Sequence, residues 1–313
     1  MSLIPPMIVL AGPTGVGKTE LSLSLAAAIG GEVVSVDSRQ VYRRLDIGTA
    51  KPSASQRQQV RHHLLDLIDP ADSFDAGRFG AAATAALQDI AARGRTAVLV
   101  GGSGLYLSSL IDGLFDESAD DRIVSRRTWA SRLQAEGLAV LWSELGQRDP
   151  AAQASLSPTD GVRILRALEL SAGGTRAARW ANDRRAGIGV CGPMVCLHRP
   201  RSSLYQRIDE RVSSMLRNGW LEEVEALLGG EWQVDAPGLC TLGYNELISH
   251  IQADVGLEQT LASIRQKTRQ YAKRQMTWFR RDRRFRWLDL DHLGNDAARH
   301  RILRQFEAFQ RTF

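Results

Sequence analysis

Short, unbroken apolar runs alternate with longer stretches of helical periodicity over the first hundred residues of the chain. Met7–Ala11 is one such run, and Glu32–Val36 and Thr96–Val100 are two more. Each is too short for a membrane span or a signal-peptide core and reads as a buried strand. Between them, Lys18–Ile29 sets Leu21, Leu25 and Ile29 on one helical face, and Phe79–Ala92 repeats that periodicity. Strands alternating with helices predict an α/β fold, a parallel sheet with helices on both faces. Cover on both faces also accounts for strands that are continuously apolar.

The texture changes after about Asp120. Residues 121 to 187 hold eleven arginines, seven acids and no lysine, in helix-type patterns broken at Gly173-Gly174. A strand-like run, Pro193–Leu197, then returns to the sheet, and Leu204 to about Trp278 reads as helices separated by Gly229-Gly230 and Pro237-Gly238. The simplest organisation is a helical insertion domain, 121–189, within a core formed by 1–120 and 190–313. A chain of 313 residues has room for both. Its composition excludes disordered and fibrous classes, and no apolar run reaches the roughly 18 residues of a membrane span. Cys191, Cys196 and Cys240 form no C-x-x-C pair and are expected as reduced thiols.

The net charge of +5 is modest, so its distribution matters more than its sum. Almost every basic residue is arginine. Lysine occurs only at 18, 51, 267 and 273, as though a compact point charge were wanted at those places. Lys18 completes a P-loop, Gly12-Pro13-Thr14-Gly15-Val16-Gly17-Lys18-Thr19, set between a strand and a helix. Its backbone N–H groups and the helix N-terminus suit phosphate oxygens, Lys18 the terminal charge and Thr19 a Mg²⁺ ion. The strand Thr96–Val100 ends in Gly101-Gly102-Ser103, where an ordinary nucleotidase carries an acid. The carboxylate stands instead at Asp37, after the second strand. Strand C-termini line the ligand crevice of a parallel sheet, so Asp37 and the P-loop are expected to share one site. Asp37 reads either as a general base or as a turn cap. Ser103 reads either as a helix cap or as a donor to a leaving phosphate oxygen. From Arg265 to Arg286, ten basic residues stand against one acid, interleaved with Tyr271, Trp278, Phe279 and Phe285. That mixture suits nucleic acid, or equally an amphipathic helix with solvated arginines. The arginine-rich insertion tips the reading towards nucleic acid.

These motifs together resemble those of the bacterial tRNA dimethylallyltransferases. The resemblance runs from about Met7 to Asp289 and rests on the P-loop, Asp37-Ser-Arg-Gln-Val-Tyr42, Asp46-Ile-Gly-Thr-Ala-Lys-Pro52, His62-His63-Leu-Leu-Asp66, Gly101-Gly-Ser-Gly-Leu-Tyr106, Arg166-Ala-Leu-Glu169 and Thr268–Gln275 followed by Thr277-Trp-Phe279. It implies a P-loop NTPase-like fold and transfer of a prenyl group from dimethylallyl diphosphate, with Mg²⁺ at Thr19, to N6 of the adenine beside the tRNA anticodon. By the same resemblance, Asp37 is the general base, Ser103 (commonly Thr) contacts the diphosphate, and Arg201 and Arg207 neutralise it. Asp37, Ser38, Arg39 and Gln40 meet the substrate nucleotide. The insertion grips the anticodon stem-loop through Val162, Arg163 and Arg166, and Lys273 and Arg274 add tRNA contacts. Val162 stands where the family commonly has Gln, which removes one such contact. Gly15-Val16 replaces a common Ala-Ser, and the C-terminal zinc finger of eukaryotic relatives is absent. A monomer in the cytoplasm is expected. Two other readings stand beside this one: a P-loop kinase of a nucleoside or small metabolite, and a non-catalytic RNA-binding protein.

Overall fold

The computed structural model describes residues 4–113, 119–171, 186–230, 232–253 and 255–312. The chain divides into two compact units, Asp112–Gly187 and the remainder, Met1–Ile111 with Ile188–Phe313. The Gly173-Gly174 break expected inside the first of these lies outside the described residues.

The larger unit is built on six parallel strands: β1 (Met7–Ala11), β2 (Glu32–Val36), β3 (His62–His63), β4 (Ala97–Gly101), β5 (Met194–His198) and β6 (Arg286–Asp289). They lie in the order β3-β2-β4-β1-β5-β6. The three strands expected before residue 101 and the one near Pro193 are all present, shifted by at most a residue at each end. The edge strands β3 and β6 escape the apolar-run criterion. β3 has two residues, and β6 buries only Leu288 fully.

Helix α1 (Lys18–Ala28) buries Leu21 and Leu25 against Ile8, Leu10, Val33 and Val98. The last helix, Leu290–Gln310, adds Ala298, Ile302 and Phe306 to the same cluster. The short helix α2 (Ala54–Gln59) is held by a capping box between Ser53 and Gln56. Helix α3 (Ala76–Ala92) begins three residues before its apolar periodicity, because the Asp75 side chain accepts from the Arg78 N–H at 2.9 Å and fixes the first turn. Phe79, Ala83, Leu87 and Ile90 form its buried stripe, and full burial of a Leu or Phe contributes about 1.5–3 kcal/mol. Helix α4 (Gly104–Ile111) follows β4 directly.

In the smaller unit the described elements are α5 (Ala119–Glu136), α6 (Leu138–Arg148), α7 (Pro150–Ala154) and α8 (Gly161–Ser171), with no strand among them. Trp129, Leu141, Leu145, Ile164 and Leu168 form its core. Asp149 starts α7 by accepting from the Ala152 N–H at 2.9 Å, with Pro150 in the first helical position.

The chain re-enters the larger unit and, after β5, forms α9 (Arg201–Arg217), α10 (Trp220–Leu228), α11 (Tyr244–Ala253) and α12 (Leu257–Arg280), then α13, the helix Leu290–Gln310. Helices α9–α12 bury Val212, Trp220, Tyr244, Leu247 and Ile264 against Val41, Tyr42 and Leu45, a second hydrophobic cluster beyond the strand ends. No described helix is long and apolar enough to cross a membrane.

Candidate active site

Register puts the site where it is. Ala11 of β1 and Val36 of β2 both pair with Gly101 of the central β4. The chain therefore leaves the three strands side by side, as the P-loop, as Asp37 and as Gly102-Ser103. That juncture opens into a cavity of about 870 Å³ roofed by α9 and α12. Its wall carries Lys18, Arg39, Arg207, Arg211, Lys267 and Arg274 against Glu20, Asp37 and Glu246. The charge balance favours an anion.

The P-loop needs glycine for conformation and for space. Gly12 (φ 149°) passes so close to β5 that a Cβ would stand 2.8 Å from the Leu197 carbonyl, and Gly17 (φ 110°) turns the chain into α1. The Lys18 ammonium donates to the carbonyls of Gly12 and Pro13, both at 2.8 Å. Burial lowers its pKa to about 8, the Arg211 charge adds to this and Asp37 opposes it. Burial also holds Arg211 below the ordinary guanidinium value, with Asp37 opposing. Both cations line the one cavity, where their charge favours an anion.

Side chains from distant elements brace the loop. The Gln275 amide of α12 accepts from the Thr14 N–H at 2.8 Å and donates to the Gly102 carbonyl at 3.0 Å. Arg207 Nε donates to the Gly15 carbonyl at 3.0 Å, and Arg199 Nε to that of Val16 at 2.9 Å. Val16 itself is wholly buried, and Thr19 lines the cavity with an exposed side chain.

Asp37 Oδ1 accepts from the Arg39 N–H at 2.8 Å and, more weakly, from that of Gln40 at 3.4 Å. The carboxylate thus caps its own turn while lining the cavity; the two roles coexist. Ser38 lines the cavity and its N–H donates to Ser103 Oγ at 3.1 Å. Arg39 reaches the Pro237 carbonyl at 3.3 Å. The Gln40 side chain accepts from Ser35 Oγ and donates to the carbonyls of Thr49 and Ala50, which ties the turn to the following loop.

The other residues singled out from the sequence are placed variously. Arg207 lines the cavity, whereas Arg201 lies outside its lining, exposed, with Nε on the Tyr205 hydroxyl at 3.0 Å and its guanidinium over that ring. Ser103 lines a separate small enclosed space. Arg274 lines the cavity and stacks over Tyr271, and Lys273 is exposed beside it. In the smaller unit, Val162 is 82% exposed on α8, Arg163 pairs with Asp160 at 3.4 Å and Arg166 with Glu169 at 2.8 Å. Lys51 is no surface charge: its ammonium is buried between Asp46 at 2.7 Å and Asp66 at 2.6 Å and donates to the Tyr42 carbonyl.

Sequence reasoning missed Arg199, Arg211, Tyr271 and Gln275 as site residues. Arg211 was within reach, because it follows Arg207 by four residues and shares its helical face. Tyr271, Arg274 and Gln275 share a face of α12 by the same rule. Among the described residues no three His, Cys, Asp or Glu side chains cluster to hold a metal. That donor set suits Mg²⁺ only in its usual substrate-bound form, held by phosphate oxygens, water and one or two protein oxygens such as the Thr19 hydroxyl.

Comparison with known proteins accords with this geometry. The family model for IPP transferase matches residues 40–282. A tRNA dimethylallyltransferase of Geobacter metallireducens is 43% identical over 296 residues, covering 90% of this chain and 92% of its own. One from Desulforudis audaxviator is 40% identical over 300 residues, covering 95% and 96%. Among solved structures, the tRNA isopentenylpyrophosphate transferase of Bacillus halodurans superposes with a TM-score of 0.70 at 33% identity, over 98% of each chain. A eukaryotic dimethylallyltransferase caught acting on tRNA gives 0.78 at 27% identity, over 95% of this chain and 78% of its own. With the P-loop NTPase-like sheet and the family model spanning most of its length, the chain belongs to the IPP transferase family.

Proposed function

We propose that this chain is a tRNA dimethylallyltransferase, moving the prenyl group of dimethylallyl diphosphate to N6 of the adenine beside the anticodon. The observation that carries the reading is the convergence of the P-loop, Asp37 and the Arg207–Arg211 pair on one cavity. The cations and the loop's N–H groups take the diphosphate. The flipped adenine enters from the Asp37–Gln40 side. As N6 bonds to C1 of the prenyl group, the C1–O bond breaks and its electron pair leaves with the diphosphate. The N6 proton goes to Asp37, which has no hydrolytic water to position. Thr19 would help hold Mg²⁺ against the diphosphate, where the ion would offset phosphate charge. Lys18, released from the Gly12 and Pro13 carbonyls, would turn to the same oxygens, and α12 would present Lys273 and Arg274 to the RNA. Arg163 and Arg166, with the exposed Val162, belong to the helical unit that would grip the anticodon stem-loop. The chain acts as a monomer in the cytoplasm.

A kinase reading shares the P-loop and Asp37 but leaves the basic α12 unexplained. The deciding experiment supplies labelled dimethylallyl diphosphate and unmodified tRNA, with ATP as competitor. Label is expected in tRNA. Phosphorylation of a small acceptor from ATP, with tRNA left unmodified, would overturn the reading.

A further inference from the structure

The aromatic residues of α12 differ sharply in burial. Phe279 is 1% exposed and Tyr271 half-buried, whereas Trp278 is 40% exposed. Among the described residues it is the one aromatic side chain in the set of large exposed apolar groups; the others are aliphatic. Exposed though it is, the indole is not loose. Its pyrrole side lies on Gly104, where a Cβ would overlap the indole Cδ1 and Nε1. Gly104 opens α4 and has no positive φ, so the backbone there does not require glycine. Glycine at that place gives up helix propensity in return for space, and Trp278 fills the space.

This position adjoins the cavity. Gly102, two residues before Gly104, lines it, and so do Arg274 and Gln275 of α12. Arg274 and Gln275 precede Trp278 by four and three residues, which makes them its neighbours on the helix surface. Arg274 is exposed as well as lining, so the cavity meets solvent there and Trp278 stands one turn beyond. Arg281, three residues further on, is exposed, as is Lys273. A fixed aromatic surface between exposed cations suits single-stranded nucleic acid, whose bases stack on the ring while its phosphates meet the charges. An adenine that leaves its stack for the cavity also deprives the neighbouring bases of a stacking partner.

We propose that Trp278 is a stacking platform for the tRNA base beside the flipped adenine, with Gly104 holding the indole in place and Arg274 and Arg281 meeting the flanking phosphates. This rests on the transfer reaction proposed above. The platform touches no reacting atom. It replaces the stacking that the neighbouring base loses when the adenine leaves the loop, and so favours the flipped state over the stacked one.

The test is binding of an unmodified anticodon stem-loop to the full chain, by fluorescence anisotropy, beside stem-loops made abasic on one side or the other of the target adenine. W278A is expected to weaken binding of the intact stem-loop about 10-fold, within the range for loss of one base–aromatic stack. W278F, which keeps a ring, loses less than W278L, which keeps only apolar bulk. G104A, whose methyl displaces the indole without removing it, weakens binding as well. The KM for dimethylallyl diphosphate stays at the wild-type value in W278L; a KM that rises in step with the lost affinity makes Trp278 part of the cavity's packing and overturns the proposal. One of the two abasic stem-loops binds the wild-type chain about 10-fold less tightly and suffers no further loss from W278A, because both changes remove the same contact. Equal affinity of W278A and wild type for the intact stem-loop, or losses that multiply with W278A for both abasic stem-loops, overturns the proposal. Should W278A fail to fold, equal affinity of W278F and W278L overturns it. A wild-type chain that binds no stem-loop while phosphorylating an acceptor from ATP overturns the transferase reading instead, so the two failures are distinct.

Discussion

Gln275 offers a direct test of whether α12 builds the P-loop site or merely lies over it. Its side chain is 6% exposed and makes two bonds to backbone groups far away in sequence, to Thr14 N–H at 2.8 Å and to the Gly102 carbonyl at 3.0 Å. In Q275A both groups lose their partner. An unsatisfied buried backbone group costs about 1–3 kcal/mol. The Gly102 carbonyl is bonded in a buried place and belongs at the upper end, whereas the Thr14 N–H borders the cavity, where water offsets part of the loss. The sum is about 2–4 kcal/mol, which lowers the melting temperature by roughly 4–16 °C for a unit of this size. Q275E separates architecture from electrostatics. Its carboxylate still accepts from Thr14, yet it opposes the Gly102 carbonyl and puts a negative charge beside the bound diphosphate. Denaturant unfolding and the KM for dimethylallyl diphosphate, measured on both variants, read the two effects. Q275E is expected to raise KM more than Q275A does. If both variants unfold within about 0.5 kcal/mol of wild type, as a neutral surface change would, and keep the wild-type KM, the bridge has no energetic role.

Four further outcomes are expected. D37N keeps an oxygen to accept from the Arg39 N–H but has no proton-accepting carboxylate, so transfer falls by about 10²–10⁴-fold while tRNA affinity measured by filter binding persists; wild-type turnover in D37N removes Asp37 as the base. Lys18 loses its proton near pH 8 in the free enzyme and the diphosphate needs the cation, so kcat/KM for the donor falls as pH rises through about 8. Bound diphosphate raises that pKa, which carries the fall in kcat to higher pH; a kcat/KM that stays flat well above pH 8 refutes this. K51M leaves Asp46 and Asp66 without their shared ammonium, but these carboxylates are 56% and 33% exposed and keep contact with water, so the loss costs about 1–3 kcal/mol. Arg57 still holds Asp66 at 2.7 Å, so chemical denaturation should report the lower end of that range. Finally, tRNA affinity should fall steeply with salt through counterion release, and neutralising Lys273 and Arg274 together should flatten the slope; an unchanged slope places the phosphate contacts elsewhere.

Continuous apolar runs revealed β1, β2, β4 and β5, because strands buried on both faces leave no polar alternation to misread. Edge strands β3 and β6 are half wet, so Arg286-Trp-Leu-Asp289 carried no such mark. The start of α3 was lost for a related reason: a cap acts through one side chain, and periodicity begins only where the helix touches the core. Gly12, Lys18 and Asp37 were legible because their chemistry is local to a strand end. Gln275 was not, since its meaning depends on a strand-end glycine and a P-loop amide more than 170 residues away. Arg201 shows the converse limit. Arg201 and Arg207 are both arginines of α9, but only Arg207 reaches Gly15 and the cavity, while Arg201, six residues earlier, turns back onto Tyr205.

The same geometry shows why this P-loop suits a diphosphate that departs without hydrolysis. A nucleotidase places its acid after the strand beside β1, to hold metal and water on the far side of the γ-phosphate. Here that position is Gly102, and the room beside it is filled by Gln275, which a Cβ on Gly102 would strike at 2.1 Å. The carboxylate stands one strand further on, after β2, where it lines the cavity from the turn that it caps and, in the proposed reaction, would face the incoming nucleophile. In the proposed reaction Lys18, Arg207 and Arg211 would hold the leaving group and Asp37 would take the nucleophile's proton, so acceptor and cations would have separate tasks around one cavity. Moving the acid back, by G102D, would displace Gln275 and undo the loop's brace before it created any hydrolytic site. That variant should therefore lose donor binding without gaining ATPase activity, and phosphate release from ATP by G102D would refute this account of the division.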